Sequence, residues 1–599
     1  MGLYGFASGL ERLGTYSSLS GDSVVIDGPG LAHRISEYCM RRRPPLCGFA
    51  TFPSYSIIGS TVIDWLNRLK TRNVNVRKIY FDGYLPSSKW EVRKNRLARQ
   101  TTILAELAST NLLGSAIAPA NAFSHIKDYV NDFDDILTTP NKMPSPPFLV
   151  PAVLEALKND KDWKHLVFVV PGEADTFCAE DIRRNGGTLL TADSDLVVQD
   201  LGPEGSVAFF WSMTTGPPFA NKIMAQKMSF HHMNQRLRLT QLGGLTRVAF
   251  ESMKGDRWGD PLEFDVALRK TKDAREDTLQ SPEYKKFIEE LEPKRYLPNN
   301  HPVLGLLSSL DPRISEFIIQ ALLLIDEASW LEDKSLRGPE TLSIFLPILM
   351  DNYARKSAWT DSLETRQLAY HILQTSTRQK ISRIVEYRTL RSKLQTGREI
   401  QIRFPNPAVL NADCKRLIAL LEKLAKNFSP TPMQWLAFAV YWDVKRSSSE
   451  GDEALSAQLV EEANQYQSDP QTYSWDLMHF TAQLQAHLYS LRIVKQILDV
   501  VLVIGQNVPA AAQQLHDHLA SLPPIAEWPT VESMMGLLSE FGKMDGLDMI
   551  ADILEVPREN MKKIPKTNQT LQENERVFKR DKFMIRYSTN KYYVLNETE

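Results

Sequence analysis

Short apolar runs that end in an acid occur four times in the first 200 residues of this 599-residue chain. They read VVID, IYFD, VFVVPGEAD and TLLTADSD, and longer stretches with helical spacing lie between them. Strands that alternate with helices predict a mostly parallel sheet with helices on both faces. Because parallel strands end at one edge of a sheet, the acids after them are expected where such folds build sites. The acids are Asp27, Asp82, Glu173, Asp175, Asp193 and Asp195.

The chain divides by pattern into three regions. Residues 1–222 are predicted to form the α/β domain, with strands at VVID, IYFD, LVFVV, TLL and VAFFW. Strand signals nearly vanish over 223–565, where apolar residues recur at helical spacing, so a large all-helical region is predicted. Residues 566–599 form a basic, aromatic tail for which a hairpin is predicted. Within the helical region, the polar stretch 445–458 is predicted to be the main loop.

Composition excludes several classes of protein. With 43% hydrophobic and 24% charged residues, the chain is globular in composition and long enough for several domains. Its four cysteines lie far apart without a CxxC pair, which excludes a zinc ribbon and a disulfide framework. The longest apolar run in the later part of the chain, VVLVIG, is too short to span a bilayer, and no signal peptide is recognisable, so an intracellular protein is expected.

Charge is distributed unevenly along the chain. A formal net charge of −2 gives no general case for nucleic-acid binding. Residues 70–99, however, contain nine basic residues against two acids, which are Asp82 and Glu91. A local basic surface beside the first acids is therefore predicted.

The acids have two possible roles. Taken singly, an acid after a strand is most often a helix N-cap or a turn former. Taken together, carboxylates crowded at one sheet edge repel one another unless cations bind between them. Hard oxygen ligands suit Mg²⁺ or Mn²⁺, and two such ions can stabilise both the attacking and the leaving oxygen of a phosphodiester.

Five motifs resemble a known family. MGLYGF, VVIDG, FDGYLPSSK, VPGEADTFCA and TADSDL, in that order, resemble the flap endonuclease and XPG superfamily of structure-specific nucleases over about residues 1–260. The lack of a long arch insert, the helical second half and the segment FAVYWDVKR are most similar to the Asteroid branch. The resemblance implies a PIN-like nuclease fold in the first region.

The resemblance also implies an activity. Its six acids would bind two Mg²⁺ or Mn²⁺ ions that cut branched or flapped DNA, or RNA. Lys89 and Arg96, seven residues apart and so on one helix face, would hold the scissile phosphate, and Arg93 extends that face. A nuclear location follows from the same resemblance. Protein partners are expected on the helical region.

Two departures from the family pattern leave an alternative open. The seventh acid of the family has only Asp256, in MKGDRW, as a candidate, and this is a poor match. The glycine-rich helix-two-turn-helix that grips duplex DNA is not recognisable after it. The chain is therefore predicted to be either an active endonuclease or a nuclease-like scaffold that binds RNA or protein in post-transcriptional regulation.

Overall fold

A computed structural model gives the fold of most of the chain. It describes residues 6–42, 47–118, 122–123, 126, 143–215, 222–255, 261–273, 279–294, 296–323, 341–376, 381–388, 397–401, 406–429, 431–465, 472–505 and 508–557. The predicted C-terminal hairpin and Asp256 lie outside these residues.

Twelve strands are described. They are β1 (Thr15–Ser18), β2 (Ser23–Asp27), β3 (Asn75–Asp82), β4 (Ser115–Ala116), β5 (Val167–Val170), β6 (Gly187–Thr191), β7 (Gly205–Phe209), β8 (Met224–Met228), β9 (Thr341–Phe345), β10 (Arg383–Tyr387), β11 (Gly397–Gln401) and β12 (Thr472–Tyr473). Seven of them form the main sheet in the order β1-β8-β7-β6-β2-β3-β5. The five strands from β7 to β5 are parallel, and β8 and β1 add an antiparallel edge.

Nineteen α-helices are described. They are α1 (Phe6–Glu11), α2 (Gly28–Arg41), α3 (Tyr55–Thr71), α4 (Trp90–Thr110), α5 (Leu149–Asn159), α6 (Ala174–Asn185), α7 (Phe230–Leu237), α8 (Gly244–Met253), α9 (Phe264–Asp273), α10 (Pro282–Leu291), α11 (Pro312–Leu323), α12 (Leu363–Thr375), α13 (Pro407–Asn427), α14 (Thr431–Glu450), α15 (Leu455–Gln465), α16 (Trp475–Ile504), α17 (Ala512–Leu519), α18 (Val531–Lys543) and α19 (Gly546–Leu554). The strands and helices predicted around the acids are confirmed.

The main sheet has a switch point beside β2. From β2 the chain continues to β3 and β5 on one side, whereas from β6 it continues to β7 on the other. Open α/β sheets bind ligands in the crevice that such a reversal leaves at the carboxyl ends of the strands. Asp27 ends β2 and Asp193 follows β6, so the crevice has an acid on each side.

Helices cover both faces of this sheet. Alternate residues of β2 point to opposite sides, so Val24 and Ile26 pack with α2, α3 and α5, whereas Val25 packs with α6. The core on the α2 side continues without interruption into α11, α12 and α16. The acids are therefore held by strands that are buried on both faces.

The expectation of an all-helical second half is wrong, because five strands of the described residues, β8 to β12, lie in it. β8 completes the main sheet, and β9, β10 and β11 form a separate three-stranded sheet in the order β11-β10-β9. The segments TLSIF, RIVEY and GREIQ supply β-branched and aromatic residues, which favour strands even in short runs. Helical periodicity in the long flanking segments hid these signals.

Apart from β12, which pairs with β4, the other regular elements described in the second half are helices, as predicted. α16 is 30 residues long and is buried along most of its length against α12, α14 and α17. The predicted polar loop at 445–458 is shorter than expected, because α14 continues to Glu450 and α15 begins at Leu455. None of the described helices has both the length and the apolar character needed to cross a bilayer.

Candidate functional site

Asp27 is fixed by hydrogen bonds from two elements. Its Oδ1 accepts a hydrogen bond from the backbone N–H of Gly30 at 3.1 Å, and its Oδ2 accepts one from the hydroxyl of Thr191 at 2.8 Å. Gly30 is required here, because a Cβ atom would lie 2.3 Å from Asp27 Oδ2. Asp27 therefore ends β2, caps α2 and contacts β6 with a single, 5% exposed side chain.

Asp82 joins two of the motifs. Its Oδ1 accepts a hydrogen bond from the backbone N–H of Ala174, the first residue of α6, at 2.7 Å. The following Gly83 lets the chain turn close to β5, since a Cβ atom there would lie 2.1 Å from the carbonyl oxygen of Val170. The FDG and PGEAD segments are thus brought together by direct contact.

Two acids lie at the start of α6. Glu173 is the N-cap residue and Asp175 lies in the first turn, where the helix dipole favours negative charge. The Oε2 atom of Glu173 forms an ion pair with Nζ of Lys89 at 3.0 Å. Lys89 therefore reaches from the 3₁₀ turn before α4 into the acidic edge.

The last two acids follow β6. Asp193 accepts a hydrogen bond from the backbone N–H of Asp195 at 2.9 Å and caps the 3₁₀ turn Ser194–Val198. The backbone N–H of Asp193 in turn donates to the hydroxyl of Thr191. Thr191 thus connects this pair to Asp27 across the switch point.

Burial and mutual repulsion disturb the protonation of three acids. Burial, with a contribution from the charge of Asp193, raises the pKa of Asp27 to about 6. Burial, followed by the charges of Asp27 and Glu173, raises the pKa of Asp82 to about 7. The pKa of Asp175 is raised well above its usual value by burial and then by the neighbouring acids. This edge of the sheet is therefore short of positive charge.

The chemistry of the cluster fits a hard divalent cation. All six predicted acids follow strands at one end of the sheet and present carboxylate oxygens, the ligands that Mg²⁺ and Mn²⁺ prefer. Within the described ranges, no three His, Cys, Asp or Glu side chains converge closely enough to form a ready-made metal site. Carboxylates without a cation between them repel one another, so the cluster and its raised pKa values are consistent with a place for cations.

Lys89 is a charged part of this cluster. Burial lowers the pKa of Lys89, but the ion pair with Glu173 and the charges of Asp175 and Asp195 outweigh this effect, so the pKa is raised overall. The side chain is 30% exposed, so it contacts both the acids and solvent. Lys89 therefore lies beside Glu173, and its contact with a phosphate stays a prediction.

Arg93 and Arg96 lie on the same helix but in different surroundings. Arg93 forms an ion pair with the buried Glu316 at 2.5 Å, and its guanidinium lies 3.8 Å from the centroid of the Phe345 ring. Arg96 is exposed. Contact of Arg93 with phosphate stays a prediction, but this side chain already has partners inside the fold.

The predicted basic surface is mostly neutralised by internal ion pairs. Six of the nine basic residues between 70 and 99 form ion pairs with acids, among them Arg77 and Lys78, which share Asp181. Local net charge along the sequence therefore overstates the charge that faces solvent. Arg96 and Arg99 remain exposed on α4.

Sequence reasoning missed the residues that support the site. Ser315 of α11 donates a hydrogen bond to the carbonyl oxygen of Gly83 at 2.9 Å, and the next residue, Glu316, holds Arg93. Thr191, which bonds Asp27, was also missed, although its place directly before the TADSD acids is a local signal. Nothing local marks Ser315 or Glu316, because their partners are more than 200 residues away.

Fold and site together define an α/β protein with an acidic crevice at the switch point of a mainly parallel sheet. A family model described as "XPG domain containing" matches residues 145–402. The match includes Glu173, Asp175, Asp193 and Asp195, extends through α11 and the β9–β11 sheet, and supports a relationship to XPG-like nucleases. The search of curated proteins gives no match.

Proposed function

We propose that this chain is a metal-dependent, structure-specific endonuclease of the Asteroid type that cuts branched or flapped DNA. The acid cluster carries the proposal. Six carboxylates follow four strand ends at one edge of the sheet, three of them have raised pKa values, and the main positive charge among them is Lys89. We further propose a nuclear location, because branched DNA is the expected substrate.

The acids would hold two Mg²⁺ or Mn²⁺ ions. When bound, such ions stabilise both the attacking and the leaving oxygen of a phosphodiester. The chain's own contribution is to place the ligands before substrate arrives. Thr191 and the Gly30 amide orient Asp27, and the Ala174 amide orients Asp82. These fixed dipoles lower the electrostatic free energy needed to bring the negatively charged carboxylates together.

The basic helix would position the substrate. Lys89 is already held at the acids by Glu173, and its ammonium can contact a phosphate oxygen at the crevice. Arg96, seven residues further and exposed, lies two turns along α4 on the same face. Together they would contact a strand that enters the crevice along the helix.

Loss of the acids after β6 tests this function. The double change Asp193→Asn and Asp195→Asn keeps the size of both side chains. We expect it to lower the rate of Mg²⁺- or Mn²⁺-dependent cleavage of a 5′-flap DNA by a factor on the order of 1,000 or more. Circular dichroism and thermal unfolding check the fold. Glu540→Gln, at an exposed acid on α18 away from the cluster, is the matched control and should cleave at the wild-type rate.

A second candidate function is favoured by one observation. Asp27, Asp82 and Asp193 each accept a backbone hydrogen bond that shapes the fold, so these acids have a structural use without any metal. A nuclease-like scaffold that binds RNA or protein partners through the helical half would retain them for that reason. This explanation does not account for Asp175, whose raised pKa marks a carboxyl group short of compensating charge.

Calorimetry separates the two candidates. An endonuclease should bind Mn²⁺ at millimolar or lower concentration with about two ions per chain, and the Asp193→Asn and Asp195→Asn double variant should bind fewer. A scaffold should show no saturable binding and no cleavage in either form. Cleavage that persists in the double variant would contradict the proposed site itself.

A further inference from the structure

A pocket of about 290 Å³ lies in the helical half of the chain, between α12, α13 and α14. None of the six acids lines it. Its walls combine aromatic and aliphatic side chains, among them Tyr441 and Trp442 of the segment FAVYWDVKR, His371, Leu368 and Leu417. Small-molecule sites are mostly apolar with a few polar groups, and their volumes begin at about 300 Å³. The pocket is therefore suited to a ligand of one or two rings.

Tyr441 and Trp442 form an aromatic corner in this pocket. Their ring centroids lie 5.5 Å apart, and the ring planes are nearly perpendicular, at 87°. The Trp442 ring is also stacked with the buried His487, with 6.3 Å between centroids, and Nζ of Lys445 lies 4.2 Å from the Trp442 centroid. Within the described ranges, Trp442 is the only ring in contact with Tyr441. The indole is thus fixed by its neighbours, whereas the Tyr441 ring has room for a further flat ring.

Two buried polar atoms of the lining make no hydrogen bond to any described residue. They are Nε1 of Trp442 and Oγ1 of Thr365, a side chain that is only 4% exposed. A buried polar atom without a partner is unfavourable, and a ligand that supplies the partner gains free energy. The indole N–H only donates, whereas the threonine hydroxyl donates and accepts. The pocket therefore favours a ligand with at least one hydrogen-bond acceptor.

The charges around the pocket cancel. Lys445 forms an ion pair with Glu364 at 3.1 Å, and Arg416 forms one with Asp413. Burial lowers the pKa of His371, although the charge of Asp413 acts in the opposite direction, so this ring is uncharged at neutral pH. A neutral lining does not suit a free anion, and a quaternary ammonium ion has no acceptor for the indole N–H. The ligand is therefore expected to be uncharged at the part that enters the pocket.

We propose that this pocket binds a nucleobase, either of a free nucleoside or of a single nucleic-acid strand. A nucleobase is flat, uncharged at neutral pH and carries acceptors and donors on its edge. It would stack on Tyr441, accept a hydrogen bond from the Trp442 N–H and form a second one with the Thr365 hydroxyl. The pocket shares no residue with the acid cluster, so this binding is independent of the proposed nuclease function.

Isothermal titration calorimetry tests the pocket with two kinds of probe. The four common ribonucleosides represent the free ligand, and a short single-stranded RNA of mixed sequence represents the strand, with EDTA present to remove metal ions. Tyr441→Leu removes the stacking surface, and Thr365→Val replaces the hydroxyl by a methyl group of similar size. Tyr16→Leu, at an exposed tyrosine of β1 outside the lining, is the matched control. Thermal unfolding checks the fold of each variant.

We expect the wild type to bind at least one ribonucleoside, or the RNA, in a saturable manner at millimolar or lower concentration. Tyr441→Leu should weaken this binding about tenfold, because it removes a base–aromatic stack. Thr365→Val should weaken it about fivefold, through one lost hydrogen bond. Tyr16→Leu should leave binding unchanged, and so should the Asp193→Asn and Asp195→Asn double variant with nucleosides.

The two probes distinguish the two sources of the base. A nucleoside that binds as tightly as the RNA would identify a free nucleoside as the ligand. An RNA that binds more tightly than every nucleoside, with the same relative losses in both pocket variants, would identify a base of a strand.

Three results would overturn the proposal. The first is a wild-type protein that binds neither probe. The second is binding that Thr365→Val and Tyr441→Leu leave unchanged, and Thr365→Val alone decides this if Tyr441→Leu does not fold. The third is choline that binds more tightly than every nucleoside, because the pocket would then recognise a cation. Each of these results would leave the cleavage of flap DNA, and with it the proposed function, untouched.

Discussion

The buried ion pair between Arg93 and Glu316 offers a direct test of how the two halves of the chain are joined. The side chains are 15% and 6% exposed, and the pair connects α4, the helix of the predicted phosphate contacts, to α11. Burial raises the pKa of Glu316, whereas the charge of Arg93 acts in the opposite direction. Removing Arg93 would therefore leave the buried carboxylate of Glu316 with less positive charge to compensate it.

We expect Arg93→Met to lower the free energy of unfolding by about 3 kcal/mol at neutral pH. Breaking a buried pair at one partner typically costs about 3–5 kcal/mol. The lower end applies because the charge of Arg313 also acts on Glu316. Loss of the guanidinium over the Phe345 ring, 3.8 Å from its centroid, adds a smaller cost.

Urea denaturation followed by fluorescence and circular dichroism measures this cost. Arg96→Met, an exposed change three residues away on the same helix, is the matched control and should stay within about 0.5 kcal/mol of the wild type. The double change Arg93→Met and Glu316→Met should recover most of the stability, because apolar groups can replace a buried pair of similar volume. A single variant as stable as the Arg96→Met control would refute this account of the pair.

The direction of the pH effect is a further part of the same prediction. In Arg93→Met the folded-state pKa of Glu316 should rise further above its unfolded value. An acid whose pKa is higher in the folded state than in the unfolded state stabilises the fold below its unfolded pKa, and this stabilisation is lost as the pH rises through its folded pKa. The difference between variant and wild type should therefore shrink as the pH is lowered towards 4.

Two more predictions concern the acid cluster and its turn. Because the pKa values of Asp27 and Asp82 are raised to about 6 and about 7, protons should compete with cations there, so Mn²⁺ affinity measured by calorimetry should rise as pH increases through that window. The free energy of unfolding of the metal-free chain should fall over the same rise in pH, because both acids have folded-state pKa values above their unfolded values. Constant Mn²⁺ affinity from pH 5.5 to 8 would contradict the assignment of these acids as metal ligands. Gly83→Ala should destabilise the chain by about 1–3 kcal/mol in urea denaturation, since the new methyl group would lie 2.1 Å from the carbonyl of Val170. Gly536→Ala, at an exposed position of α18 with open space around it, is its control and should not be destabilising.

Much of the fold near the site was predictable because its signals are local. Each strand run, such as VVID with Asp27 at its end, carries its own β-branched pattern and its own acid. The register of a parallel sheet then aligns the strand ends without further information. The β9–β11 sheet was missed although only nine residues separate β10 from β11, because helical periodicity in the long flanking segments hid these five-residue strands.

The state of the charges could not be predicted in the same way. The segment 70–99 is basic by count, yet Arg93 pairs with Glu316, more than 200 residues away, and Arg77 pairs with Asp181. A charge count in sequence adds residues that are neighbours along the chain, whereas solvation depends on neighbours in space. Exposure of a basic side chain is therefore a property of the tertiary structure.

The sequence by itself determined the order of β2, β3, β5, β6 and β7, the helices between them and the acids that follow the strands, because periodicity and strand-end position are local properties. Only the tertiary structure decided which acids are buried, which cations are already paired and that α11 supports the FDG turn through Ser315 and Gly83. It alone brought Lys294 into the pocket that Lys89 and Glu173 line. These features depend on contacts between segments that are far apart in the chain, and such contacts exist only after the core has formed.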